Sequence, residues 1–337
     1  MIKMNSPLEI SHFPVMLEEV IKISSPQNGG NFVDCTYGGG GYSKKILEFP
    51  ETKVTAIDRD NFVAGDAKIL QKKYPKRFDF HQKKFSEVHK VINYGKVDTV
   101  LFDLGLSSIQ LNNLERGFSF KSKKKLDMSM GLTDISASDV VNNFSEQKLR
   151  TIIKILGEEK DANLIAKNII KARSINKITN VNQLVDIIEN SKKKDYKNKI
   201  NPSTKTFQAL RIFVNKEITE LISGIINATK VLRPGGKILI VSFHSIEDKI
   251  VKYFFTNYSS GRPNPSRYLP NDNKENILLF EKYKNKFFKP SLNEVEKNFP
   301  SRSAKLRYAI RNNNKFIYPN DLINKFKKYL DLENIYD

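Results

Sequence analysis

Four consecutive glycines, Gly38 to Gly41, stand just beyond a short apolar stretch, Asn31-Phe-Val-Asp34, and this junction constrains the chain more than any other. A strand that runs into a glycine loop lets backbone approach a ligand and opens a helix whose N-terminus is partly positive. Ser43 to Phe49 can form that helix. The rhythm then repeats, with Lys53 to Asp58 as a second strand and Asn61 to Tyr74 as a helix stopped by Pro75. Phe78 to His81 reads as a weaker third strand. Val97 to Asp103 reads as a fourth, apolar enough to be buried on both faces. Strands alternating with helices predict a parallel sheet in an α/β fold.

After Asp103 the alternation stops. From Gly105 to about Pro202 no comparable strand occurs. An irregular stretch rich in Gly, Ser and Lys gives way to three expected helices: one capped by Ser145 and running through Leu156, one from Glu158 to Arg173, and one from Val181 to Asn190. The expectation is a discontinuous α/β domain, residues 1–108 and 205–337, with an inserted helical domain at 109–204. Near Pro202 the α/β pattern returns as one helical stretch extending towards Val231. Leu232-Arg-Pro-Gly-Gly236 reads as a turn, Lys237 to Phe243 as a fifth strand, and Ser245-Ile-Glu-Asp248 as a capping box. The tail from Tyr258 is polar, basic and proline-punctuated, with a late strand at Leu306 to Ile310.

At 337 residues the chain suits one large domain or two smaller ones, and its 39% hydrophobic content can build a core. One cysteine, Cys35, excludes a disulfide framework and a cysteine-rich zinc site. No apolar run is long enough to span a membrane, and Met1 to His12 lacks the apolar stretch of a signal peptide, so a soluble cytoplasmic protein is expected. The net charge of +20 suggests a polyanionic partner, nucleic acid being the usual one. Base composition of the genome and solvated loops such as Lys192 to Lys197 would also account for the lysines.

Acidic residues sharpen the glycine loop. Asp58, ending the second strand, is placed to accept hydrogen bonds from ribose hydroxyls, and Asp103 ends the fourth strand at the carboxyl edge where open α/β sheets bind ligands. Asp34 adds a carboxylate beside the loop, natural opposite the cationic amino-acid end of S-adenosylmethionine and less so opposite a pyrophosphate. NAD is the rival cofactor, since Gly38-x-Gly40-x-x-Ser43 almost completes a dinucleotide fingerprint.

Longer motifs carry a family resemblance. They include His12-Phe-Pro-Val-Met-Leu17, Asp34-Cys-Thr-Tyr-Gly-Gly-Gly-Gly-Tyr-Ser43, Ala56-Ile-Asp-Arg-Asp60, Asp103-Leu-Gly-Leu-Ser-Ser-Ile-Gln110 and Glu115-Arg-Gly-Phe-Ser-Phe120. Asn201 to Asn215, Ser242-Phe-His-Ser-Ile-Glu-Asp-Lys249 and Ser301-Arg-Ser-Ala-Lys-Leu-Arg307 continue them in order. With these the chain resembles the RsmH (MraW) family, bacterial methyltransferases that modify the N4 atom of a cytosine in the decoding region of 16S rRNA. The resemblance implies a Rossmann-like class I methyltransferase fold, S-adenosyl-L-methionine as cofactor, 16S rRNA in the small ribosomal subunit as partner, and the insertion as the substrate-recognition domain. It implies cofactor binding by Gly40, Gly41, Tyr42, Asp58, Phe85, Asp103 and Gln110, and no metal. The family usually has a basic residue at Gly39, a histidine at Tyr42 and a proline at Ile109.

No catalytic residue follows from the motifs. Asp103 is a candidate for orienting the amine, and His244, just beyond the fifth strand, is a candidate base. Phe118 and Phe120 are candidates for holding an unstacked cytosine, or else pack against the insertion helices. A non-enzymatic RNA-binding assembly factor and a NAD-dependent oxidoreductase are the other functions open to such a chain.

Overall fold

The computed structural model describes residues 14–192, 201–260 and 277–335. Residues 1–13, Lys193 to Lys197 of the basic run, and 261–276 of the tail lie outside the described residues.

Six strands form one sheet: β1 (Gly30–Asp34), β2 (Thr52–Asp58), β3 (Phe78–Gln82), β4 (Val97–Asp103), β5 (Leu232–Ser242) and β6 (Lys305–Ile310), in the order β3-β2-β1-β4-β5-β6. The first five are parallel and β6 runs antiparallel to β5. The order reverses between β1 and β4, which opens a crevice beyond their carboxyl ends. This is a Rossmann-like α/β fold.

Helices α1 (Leu17–Ser24), α2 (Gly41–Leu47) and α3 (Ala64–Lys73) cover one face, and α4 (Val88–Val91) lies under the other. Between β4 and β5 come α5 (Ser108–Asn112), α6 (Ala137–Asn143), α7 (Glu146–Leu156), α8 (Ala162–Arg173), α9 (Val181–Asn190), α10 (Thr204–Asn215) and α11 (Glu217–Val231). In α7, Leu149, Ile152, Ile153 and Leu156 repeat at helical spacing and are all buried, which fixes the face it turns inward. The apolar residues of α6 to α11 merge with those on one side of the sheet into a single cluster. After β5 come α12 (Ser245–Asn257), α13 (Leu292–Lys297) and α14 (Asn320–Glu333).

Several boundaries depart from the sequence reading. The stretch from Pro202 to Val231 is two helices, broken at Lys216, whose φ of 49° is left-handed. Glu158 also has a left-handed φ of 49°, so α8 starts at Ala162. The expected turn at Leu232 to Gly236 is an excursion inside β5. Leu232 still pairs with Val97 and Lys237 with Thr99, so the intervening residues loop out of register. The cap of α12 is His244 rather than Ser245. Neither α1 nor α14 was expected. Helix α14 docks by Glu333, whose carboxylate accepts the Ile218 and Thr219 N–H groups and the Thr219 hydroxyl at the start of α11.

Candidate functional site

The glycine loop is built around Asp34. Its carboxylate accepts the Thr36 N–H at 3.3 Å and the Ser43 hydroxyl at 2.7 Å, tying β1 to α2. Asp34 is buried and is not part of the cavity wall, so it shapes the loop instead of meeting a ligand. Gly40 likewise sets conformation. It caps α2 with φ 72°, and a Cβ there would lie 2.7 Å from the Tyr37 ring. The loop points towards β2, because the Gly38 N–H donates to Asp58 at 2.8 Å instead of facing open space as a pyrophosphate cradle would.

Beyond the strand ends lies a cavity of about 340 Å³, within the usual range of small-ligand sites. Gly41, Tyr42, Asp58, Phe85, Asp103 and Gln110 all line it. Asp58 accepts the Asp60 N–H as well as that of Gly38, leaving one lone pair on each oxygen for a ligand. Burial raises its carboxyl to about pKa 6, against the pull of those two N–H groups. Phe85 stands edge-on to Phe102 at 5.4 Å and rests on Gly224 of α11. Gln110 reaches the wall, but its amide is engaged: Nε2 donates to Asp60 at 2.9 Å and Oε1 accepts the Ser107 N–H.

Asp103 is the outstanding group. Its N–H donates to Thr36 Oγ1, yet its buried Oδ1 has no hydrogen-bond partner among the described residues. Burial, with the charges of Asp34 and Glu247 nearby, raises its pKa to about 8, while the Tyr42 hydroxyl beside it pulls the other way. The Tyr42 hydroxyl also donates to the Val15 carbonyl. A second orphan acceptor, Glu220 Oε2 on α11, belongs to a residue of the same wall. Two unpaired carboxylate oxygens fit a ligand that brings a positive charge and N–H donors, as S-adenosylmethionine does.

His244 is not part of the cavity wall. Its Nδ1 caps α12 and its Nε2 lies 3.1 Å from Glu247. Burial opposes the charge on Glu247, but His244 and two backbone N–H groups hold its carboxyl below the usual range. Glu217 joins these two within 4.8 Å in an arrangement of metal-ligand types, but Arg211 already engages both its oxygens, at 2.9 and 3.0 Å. Arg116 and Phe118 are buried: the guanidinium pairs with Asp60 and lies against the Phe62 and Phe118 rings. Phe120 packs edge-on to Phe207. The packing alternative therefore accounts for both phenylalanines.

Glu217, Glu220, Leu221 and Phe243 also line the cavity, and sequence reasoning missed them. Their signal was a pair of carboxylates one turn apart, obscured because nothing local marks Lys216 as a helix break.

A Rossmann-like sheet with acids at the ends of β2 and β4 around such a cavity is the architecture of an S-adenosylmethionine-dependent methyltransferase. The chain belongs to the MraW methylase family, whose model matches residues 9–312. Its cofactor is S-adenosylmethionine, and the dinucleotide reading is set aside. Relatives bearing the name ribosomal RNA small subunit methyltransferase H include one from Parvibaculum lavamentivorans, 40% identical over 89% of both chains. One from Ehrlichia ruminantium is 40% identical over 89% of this chain and 99% of its own. One from Rickettsia canadensis is 41% identical over 90% and 98%. Among the described residues, no helix is long and apolar enough to cross a membrane.

Proposed function

We propose that this chain methylates the N4 amine of a cytosine in the decoding region of 16S rRNA, in the small ribosomal subunit and hence in the cytoplasm. The names of its relatives, the motifs shared with the RsmH family and the charge of +20 support an rRNA substrate. The observation that carries the chemistry is the unpaired Oδ1 of Asp103 at the cavity wall.

When bound, S-adenosylmethionine supplies a methyl group on a cationic sulfur. Gly41 and Tyr42 face its methionine end, Asp58 takes the ribose hydroxyls and Phe85 packs beside the adenine. Gln110 acts through Asp60, which it holds in place. The helical insertion, residues 109–204, presents the RNA. A cytosine amine is a poor nucleophile because its lone pair is delocalised into the ring. Asp103, ionised beside a cationic ligand, accepts a hydrogen bond from that amine and stabilises the positive charge that develops on it. Most of the remaining acceleration comes from holding amine and methyl in line.

The test supplies labelled S-adenosylmethionine and small subunits from cells lacking the modification, then digests the rRNA to nucleosides. Label in N4-methylcytidine is expected, and its absence with folded protein overturns the reading.

A further inference from the structure

The basic tail supplies none of the side chains assigned to the cofactor, yet part of it forms the rim of the cavity. Lys297, Asn298 and Pro300 belong to the wall. Between them Phe299 is 63% exposed, with the Arg302 guanidinium 4.2 Å over its ring. Phe287 is 40% exposed and has Lys289, Lys305 and Arg307 at 5.8, 5.4 and 5.0 Å from its ring. Asp248 accepts from both Lys305 and Arg307, which fixes these cations in place and leaves the trio with a net positive charge. From residue 282 to 305 the chain carries seven Lys or Arg against two Glu.

Phenylalanines left in solvent with cations over their faces have the make-up of a base-stacking platform, not of a core. The platform is preset, because Phe288 pairs its backbone N–H and carbonyl with Leu306 at 2.9 and 3.1 Å. It is also near the chemistry. Lys305 pairs with Ser242, one residue beyond Val241, the partner of Asp103. With strands about 4.8 Å apart, Lys305 lies roughly 10 Å from Asp103 across the sheet edge.

The geometry points to a single-stranded RNA platform: nucleotides flanking the target base stack on Phe287 and Phe299 while Arg302, Lys289 and Lys297 meet their phosphates. This rests on the rRNA reading of the site. Stacking suits a single strand, whose base faces are free, and a duplex offers none.

The test measures anisotropy of a labelled single-stranded RNA dodecamer, and of the same sequence as a duplex, with the full chain at several salt concentrations. Phe287→Ala with Phe299→Ala should weaken single-strand binding roughly ten-fold or more with an unchanged salt dependence, and Phe299→Tyr should bind as the wild type does. Arg302→Ala should lower the salt slope by about one phosphate contact. Calorimetry with S-adenosylhomocysteine should show the same affinity for all variants, which separates loss of the platform from loss of the fold. Wild-type affinity in the double alanine variant, equal binding of duplex, or no binding of the single strand by the wild type would each overturn the proposal. A chain that binds single strands through these rings but yields no N4-methylcytidine would sink the methylation reading and leave the platform standing.

Discussion

At the residue scale the most informative group is Asp103. Its raised proton affinity makes it largely neutral near neutral pH in the free protein, whereas a cationic ligand favours the carboxylate. Binding of S-adenosylmethionine should therefore release a proton, and its affinity should rise with pH up to about 8 and level off above. S-adenosylhomocysteine has no charge on sulfur and should show a smaller rise in a parallel calorimetric titration. Asp103→Asn should abolish the difference between the two profiles and reduce methyl transfer by about 10²-fold or more, the usual loss for a group that stabilises developing charge. Asp58→Ala should weaken cofactor binding about ten-fold, the loss of one or two hydrogen bonds to a charged acceptor, and unchanged affinity in a titration would remove it from the ribose. Both acids were legible because a strand ending in Asp beside a glycine loop is a local pattern. Asp34 was read as a ligand-facing acid by the same logic. Its true partner, Ser43, lies nine residues on, and only the turn of the loop brings that hydroxyl within 2.7 Å.

At the element scale, α2 and α11 hold the two sides of the cavity. Ser43→Ala should leave the buried Asp34 carboxylate short of its main hydrogen bond and destabilise the chain by about 1–3 kcal/mol, measurable by denaturant unfolding. Gly224→Ala would put a methyl group 2.5 Å from the Phe85 ring, with the rigid Phe102 behind it. Phe85 must then shift into the cavity, and cofactor affinity should fall while the melting temperature changes less; an unchanged affinity would show that Phe85 does not border the ligand. Strands β1, β2 and β4 were legible to within a residue or two: β4 reads as a near-continuous apolar run, as a strand buried on both faces does, and β1 and β2 as short apolar stretches that each end in Asp. The ends of helices were less so. His244 is not among the usual capping residues, and its Nδ1 does the work that Ser245 was expected to do. Helix α14 was hidden because so much of its surface is polar, and its buried face becomes clear only against α11.

For the whole molecule, the carboxyls of Asp103 and Glu333 carry the response to pH up to its alkaline end, with Asp58, raised to about 6, adding to it lower down. Burial raises Asp103 and Glu333 to about 8, from ordinary values of 3.8 and 4.5. A carboxyl that binds its proton more tightly when folded favours the folded state below its ordinary value and loses that contribution as pH climbs to the raised one. The melting temperature of the ligand-free chain should therefore decline from about pH 4.5 to 8 and flatten above. Glu333→Gln should make that slope shallower. An equal slope in the variant would place the effect elsewhere.

The guanidinium of Arg59, one residue past Asp58, bears on how such a chain can change over evolution. Its Nε and Nη2 donate to the carbonyls of Gly131 and Leu132, and its Nη1 donates to that of Asn215. All three acceptors come from the helical stretch between β4 and β5. Deleting that stretch, or exchanging it for another, would leave a largely enclosed cation without acceptors next to the residue assigned to the ribose. The stretch between β4 and β5 is thus not a cassette that recombination can swap freely. A working chimera would have to carry the Gly131 and Asn215 backbone with it, or give up the arginine.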